Sequence, residues 1–226
     1  MLDVRAAVAF AAEGLAAVAD PGAAAAMARY MKTDMPFYGV KTPERRPIAA
    51  ELARRWVPAT HGEYEALVIG LWRQPHREEK YLAIGLAERH KRFITVEAVS
   101  LYRRLIVEGA WWDLVDGVAA DLVGRVLLEH RTEITPITRS WLDDEDVWLR
   151  RSAIISQLQH KASTDAALLF ECCARRADEK EFFIRKAIGW ALRQYARTDP
   201  GAVRRFVAEQ GDRLSGLSRR EAMRHL

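Results

Sequence analysis

The chain has 226 residues, 50% of them hydrophobic, and its 35 Lys and Arg against 31 Asp and Glu give a formal charge of +4. This composition indicates an ordinary globular protein with a sizeable core, and the mild basic excess is compatible with a nucleic-acid partner without requiring one. No segment has the ~18 apolar residues of a membrane span, and the N-terminus carries Asp3 and Arg5 in a helical pattern without an uninterrupted apolar region. We therefore expect a protein that is neither membrane-embedded nor secreted by a visible signal. We expect a cytoplasmic protein.

Apolar residues recur at helical spacing along most of the chain, and no convincing strand alternation is present. The stripe Tyr64, Leu67, Val68, Leu71 and Trp72 is typical. Proline, glycine and small polar residues interrupt the pattern roughly every ten to twenty residues, which predicts about a dozen short helices. In chain order these breaks are Asp20-Pro21-Gly22, Met35-Pro36, Thr42-Pro43, Pro58, Pro75, Gly109, Thr135-Pro136, Ser163-Thr164-Asp165, Asp199-Pro200-Gly201 and Gly211 to Gly216.

Two helix starts are predicted in detail. Thr42-Pro43-Glu44 predicts a helix start with Pro at the first helical position, and the acidic run from Asp143 to Asp146 suits the N-terminus of a helix opening near Val147. Many short helices without a long linker favour an all-α fold, an α-solenoid of degenerate HEAT-like repeats, in a single domain spanning 1–226. The concave face of such a solenoid is suited to an elongated ligand such as a duplex.

The first candidate site is the run Trp111 to Asp116. At 100° per residue Trp111 falls on the core stripe with Val115, whereas Trp112 and Asp116 share a partly exposed ridge at its edge. The alternative is that both tryptophans belong to the core and the carboxylates are surface charges.

The second candidate is Arg151, which falls near the centre of the apolar stripe of the helix that begins near Val147. An unpaired buried guanidinium costs several kcal/mol, so Arg151 is expected to meet a carboxylate, an aromatic face or a phosphate. A purely structural salt bridge within the chain remains open.

The third candidate helix has two faces. Ile184 and Ile188 belong to its core stripe, while the opposite side carries Phe183, Lys186, Trp190 and Arg193. An aromatic and basic stripe of this kind can contact sugars and phosphates. Packing against the next repeat is the alternative.

These motifs carry a resemblance to a known family. The chain resembles the AlkD family of DNA alkylation repair glycosylases at five places, in order and with compatible spacing. They are Met27 to Met31, Gly39 to Arg46, Trp111 to Asp116, Trp148 to Arg151 and Glu181 to Arg193. The resemblance implies HEAT-like repeats, excision of N3- and N7-alkylated purines from duplex DNA to leave an abasic site, and action without base flipping.

The resemblance also implies an active-site set of Trp112, Asp116, Arg151 and Trp190, with Tyr30 near the same cleft. In this scheme Asp116 stabilises positive charge on the deoxyribose and assists a water, because a cationic purine leaves without a strong general acid. Candidates for DNA contacts are Tyr30, Lys32, Lys41, Arg45, Arg46, Lys186 and Arg193.

No metal or organic cofactor is expected, since the only two cysteines, Cys172 and Cys173, are adjacent and lack the spacing of a zinc site. The expected partner is double-stranded DNA containing alkylated purines, bound by a monomer. Two alternatives stay open, a non-catalytic HEAT-repeat binder of DNA and a scaffold for a protein partner.

Overall fold

The computed structural model describes residues 2–226. These residues form two compact units, the first ending at Ala98 and the second spanning Val99–Leu226. Within 2–226 every regular element is a helix and no strand is present, so the all-α prediction is confirmed. The prediction of one domain over 1–226 stays a prediction.

The first unit contains five α-helices and two short 3-10 turns. The helices are α1 (Val4–Ala17), α2 (Pro21–Met31), α3 (Thr42–Arg55), α4 (His61–Trp72) and α5 (Arg77–Arg89), and the turns are Lys91–Phe93 and Val96–Ala98. Helices α1, α3, α4 and α5 pack on one another. The predicted apolar stripe of α4 is buried in this core, from Tyr64 to Trp72.

The second unit contains the remaining helices. They are α6 (Val99–Gly109), α7 (Trp112–Gly117), α8 (Gly124–Glu129), α9 (Arg131–Leu142), α10 (Val147–Ile155), α11 (Ala166–Arg175), α12 (Phe182–Tyr195), α13 (Pro200–Gln210) and α14 (Gly216–Ala222). A π-helical stretch, Val118–Val123, connects α7 to α8 without a break in the helix. Helix α10 packs against α7, α9 and α12, and α12 packs against α14.

A 35-residue register underlies this helix order. The residues that cap the N-termini of α3, α5, α7, α10 and α12 are Lys41, His76, Trp111, Asp146 and Glu181. Successive caps are separated by 35 positions, the same separation as that between the paired residues Asp116 and Arg151. Such regularity agrees with an α-solenoid of HEAT-like repeats.

Both detailed helix starts are confirmed to within one residue. Helix α3 begins at Thr42, one residue before the predicted start, so Pro43 is its second residue and not its first. The Asp146 carboxylate caps α10 by accepting from the backbone N–H groups of Trp148 and Leu149. One predicted break is wrong, because Pro136 lies inside α9. A proline there removes one backbone hydrogen bond, and burial of neighbouring residues such as Ile134 and Trp141 keeps the helix continuous.

None of the helices within 2–226 is, alone, both long and apolar enough to cross a membrane, although α1 and α2 together pass that test as a pair bent by 107°.

Candidate functional site

The centre of the candidate site is an ion pair between Asp116 of α7 and Arg151 of α10. Nε and Nη2 of Arg151 donate to the two carboxylate oxygens of Asp116, each at 2.7 Å. The Arg151 side chain is 6% exposed and that of Asp116 is 16% exposed. Of the partners that the sequence allowed for Arg151, namely a carboxylate, an aromatic face or a phosphate, the structure shows a carboxylate of the same chain.

Arg151 also reaches α12. Its third nitrogen, Nη1, donates to the backbone oxygen of Phe183 at 2.7 Å, so one guanidinium joins α7, α10 and α12. Asp146 caps the first turn of α10, the helix that carries Arg151. The planar fork of arginine suits the joining of three helices, because it presents several N–H groups in fixed directions.

The carboxylate of Asp116 is under two opposing influences. Burial raises its pKa above the ordinary value of 3.8, the hydrogen bonds and charge of Arg151 act in the opposite direction, and the neighbouring Asp113 adds to the increase. Each oxygen accepts one bond from Arg151 and keeps acceptor capacity for another partner. The group is thus a fixed, partly solvent-accessible acceptor of defined orientation.

The two tryptophans of the first motif are both half-buried. Trp111 joins an aromatic cluster, with its ring centroid 6.0 Å from that of Trp148 and 5.4 Å from that of Phe183. Trp112 is half-buried on the same helix as Asp116, one turn earlier, as the helical spacing predicted. Trp190, on α12, is also half-buried.

The basic residues beside Trp190 have a partner that the sequence did not reveal. Lys186 Nζ donates to Glu221 at 3.2 Å, and Arg193 donates to the other oxygen of the same carboxylate. A Cβ placed on Gly189 would lie 2.5 Å from the Cβ of Glu221, so α12 and α14 are in close contact there. This side of α12 therefore packs on the next repeat, as the alternative interpretation allowed, while Lys186 keeps a 40% exposed side chain.

The remaining candidates lie in the first unit. Tyr30 is 74% exposed near the end of α2, Lys32 follows in a left-handed conformation, and Lys41 and Arg46 are exposed at the start of α3. Arg45 is less available, because it donates to the Val40 carbonyl and lies 4.5 Å from the ring centroid of Tyr81.

Sequence reasoning missed three groups that contact the candidate residues or the backbone beside them. They are Glu221, the Phe183 carbonyl, and Glu78, a buried carboxylate of α5 that accepts from the backbone just before Lys41. The 35-residue register was the available signal for the first of these. Asp116, Arg151, Lys186 and Glu221 hold successive equivalent positions along it, and the structure pairs the first with the second and the third with the fourth.

Comparison with known proteins agrees with these observations. The sequence model of a family described as "DNA alkylation repair enzyme" matches residues 11–226. A solved structure described as a predicted DNA alkylation repair enzyme from Enterococcus faecalis is similar to this chain, with 33% identity and a TM-score of 0.84 over 92% of this chain and 96% of that one. No curated protein matches. The chain belongs to the DNA alkylation repair enzyme family.

Proposed function

We propose that the protein is a monofunctional DNA glycosylase that hydrolyses the N-glycosidic bond of cationic N3- and N7-alkylated purines in duplex DNA. The observation that carries the proposal is the half-buried Asp116 carboxylate, fixed through both oxygens by Arg151 in a member of a DNA alkylation repair family. A carboxylate held in this way is prepared to stabilise developing positive charge without reorganising.

Asp116 has an electrostatic role in the proposed reaction. As the bond between C1′ and the purine nitrogen breaks, its electrons neutralise the cationic base, and positive charge appears on the sugar. The Asp116 carboxylate opposes that charge. A water oxygen then bonds to C1′, and the water gives up its proton to Asp116 and from there to solvent.

Arg151 limits how basic that carboxylate becomes. Two N–H donors at 2.7 Å occupy one acceptor direction on each oxygen and reduce the basicity of Asp116. The pair therefore favours charge stabilisation and orientation of water over early proton abstraction. Because an alkylated purine is already positively charged, this weak base is sufficient, and no protonating acid is needed.

The half-buried rings of Trp112 and Trp190 are proposed to face the sugar and phosphates beside the lesion. Aromatic faces attract cations and so complement the charged nucleoside. Tyr30, Lys32, Lys41, Arg45, Arg46, Lys186 and Arg193 are the proposed DNA contacts, and their charges make binding decrease steeply with salt. We further propose action as a cytoplasmic monomer, on the concave face of a solenoid, without rotating the base out of the duplex.

The test is release of free base from a duplex that carries one N7-methylguanine, measured by chromatography with spontaneous loss subtracted. An identical duplex with unmodified guanine is the control. Enzyme-dependent release from the alkylated duplex alone supports the proposal. Salt-sensitive binding without release identifies a non-catalytic DNA binder, and absence of both overturns the DNA assignment.

A further inference from the structure

The segment that connects α2 to α3, residues 33–41, lies between proposed DNA contacts. Lys32 precedes it and Lys41 is its last residue, at the N-cap of α3. This α2–α3 connector has no regular secondary structure, yet it is attached closely to the first turn of α5.

Glu78 makes the principal attachment. Its side chain is completely buried, and its carboxylate accepts three consecutive backbone N–H groups of the connector. The nitrogen-to-oxygen distances are 3.1 Å from Tyr38, 2.8 Å from Gly39 and 3.0 Å from Val40. A carboxylate so far from water must be satisfied by such donors, and in return it determines the path of the backbone that supplies them.

Neighbouring residues of α5 add further links. The Arg77 N–H donates to the Pro36 carbonyl at 3.0 Å, and the Tyr38 hydroxyl donates to Glu79 at 3.2 Å. The Tyr38 ring stacks on His76 with centroids 3.9 Å apart. Burial, with the adjacent glutamates, raises the pKa of Tyr38 to about 12, so its hydroxyl stays a donor throughout the neutral range.

The opposite side of the connector meets the start of α2. Gly39 has φ of +86°, and a Cβ there would lie 2.0 Å from the backbone oxygen of Asp20. Only glycine fits this position. The Asp20 N–H donates to the Tyr38 carbonyl at 2.9 Å, which ties the same turn of connector to α2. The connector is therefore held between α2 and α5.

From these contacts we propose that Glu78 is a positioning residue for DNA binding, which holds Lys41 and the first turn of α3 in the orientation that meets the phosphate backbone. The inference rests on the proposed function, because it needs the exposed Lys41 and Arg46 to contact DNA. Arg45 supports it, since its donation to the Val40 carbonyl links the first turn of α3 to the stretch that Glu78 fixes.

Stability alone is a poor explanation for this arrangement. A buried carboxylate is expensive to desolvate, and apolar packing often stabilises a protein as well or better. Three hydrogen bonds from backbone N–H groups to one carboxylate instead fix a single backbone geometry. That geometry matters most where exposed side chains must match the spacing of phosphates.

The test uses the full chain with Glu78→Gln, which preserves side-chain size. The new NH2 group is a donor that faces an N–H donor of the connector, so at least one of the three hydrogen bonds is lost. Glu63→Gln is the control, because the partly buried Glu63 also accepts backbone N–H groups in the same unit, one from Leu2 and one from Ala59. Dissociation constants for a fluorescent duplex are measured over a salt series, below the unfolding temperature of each variant. Hydrogen exchange of amides 38–40 reports release of the connector.

Glu78→Gln is expected to speed that exchange, to raise Kd about tenfold and to reduce the salt slope by about one. Lys41→Ala should weaken binding by the wild-type protein but change little in the Glu78→Gln background, since the lysine is already misplaced. Glu63→Gln should leave Kd and the slope unchanged.

The inference is overturned if Glu78→Gln binds as wild type does, or if Lys41→Ala costs the same in both backgrounds. If Glu78→Gln does not fold, Tyr38→Phe takes its place, because it removes only the bond to Glu79, and a smaller change in the same direction is required. Failure of wild type itself to bind duplex in a salt-dependent way overturns the proposed function and, with it, this inference.

Discussion

Arg151 holds both carboxylate oxygens of Asp116 at 2.7 Å while donating its remaining terminal nitrogen to the Phe183 carbonyl. The pair joins residues 35 positions apart and is largely shielded from water. Its geometry predicts that arginine at 151 sets the direction of the carboxylate, and that charge alone does not suffice.

Arg151→Lys keeps the positive charge but loses the two-pronged contact and the link to α12. We expect excision to slow by about 100-fold because the carboxylate is no longer held in one orientation. Single-turnover rates with enzyme in excess measure the effect. Arg150→Lys is the control, since Arg150 forms a comparable half-buried pair with Glu179, and a similar loss of rate in both variants would contradict the assignment.

The two adjacent tryptophans should separate function from stability. Trp112→Ala is expected to lower the excision rate about 10- to 100-fold, because the ring is proposed to face the sugar beside the lesion. Trp111→Ala removes a ring from the cluster with Trp148 and Phe183 and should cost about 2 kcal/mol in the free energy of unfolding. Urea titration and excision assays on both variants check this, and the opposite pattern would assign the site to Trp111.

Removal of Glu221 tests whether Lys186 and Arg193 contact DNA. Glu221→Gln takes a negative charge away from both residues, so Kd for duplex should fall about threefold and the salt dependence should steepen. Glu171→Gln removes the same net charge beside Arg139 and should have no such effect. Unchanged affinity in Glu221→Gln, with lower stability, would restrict the two cations to helix packing.

His160 predicts how stability depends on pH. Its ring is buried, its Nε2 donates to the Gly124 carbonyl at 2.8 Å, and its Nδ1 has no hydrogen-bond partner among the described residues. Burial lowers the pKa of His160 below 6.5. The unfolded chain then binds a proton that the folded chain does not, so stability is full above about pH 6.5 and decreases as pH falls.

Urea titrations from pH 8 to 5 should show this decrease, and His160→Gln should flatten part of it. An identical pH dependence in the variant would contradict the prediction.

Much of this site could be predicted from the sequence, and Arg151 and Asp116 show where prediction from the residues alone stops. Helical periodicity placed Arg151 on an apolar stripe, and the free-energy cost of burying an unpaired charge then required a partner. The choice of Asp116 among 31 acidic residues depended on the resemblance, since the two are distant in sequence. The regular spacing of helix caps carries that information, but only once the caps are known.

Glu78 could not be predicted in this way. Arg77, Glu78 and Glu79 resemble a solvated first turn of a helix, where acidic residues complement the helix dipole. All three are buried because the α2–α3 connector covers them, and that contact joins segments about 40 residues apart. The Glu221 contact was missed although the 35-residue register relates Glu221 to Lys186, because the register is recognised only from the helix caps and the contact depends on how α14 packs on α12.

The most direct test of the account compares Asp116→Asn with Glu179→Gln in single-turnover release of base from duplex containing one N7-methylguanine. Each variant removes the charge of a carboxylate paired with one of two adjacent arginines. The account predicts that Asp116→Asn binds the duplex but loses excision by about 1,000-fold, whereas Glu179→Gln excises at the wild-type rate. Excision at the wild-type rate by Asp116→Asn would contradict the role assigned to this carboxylate.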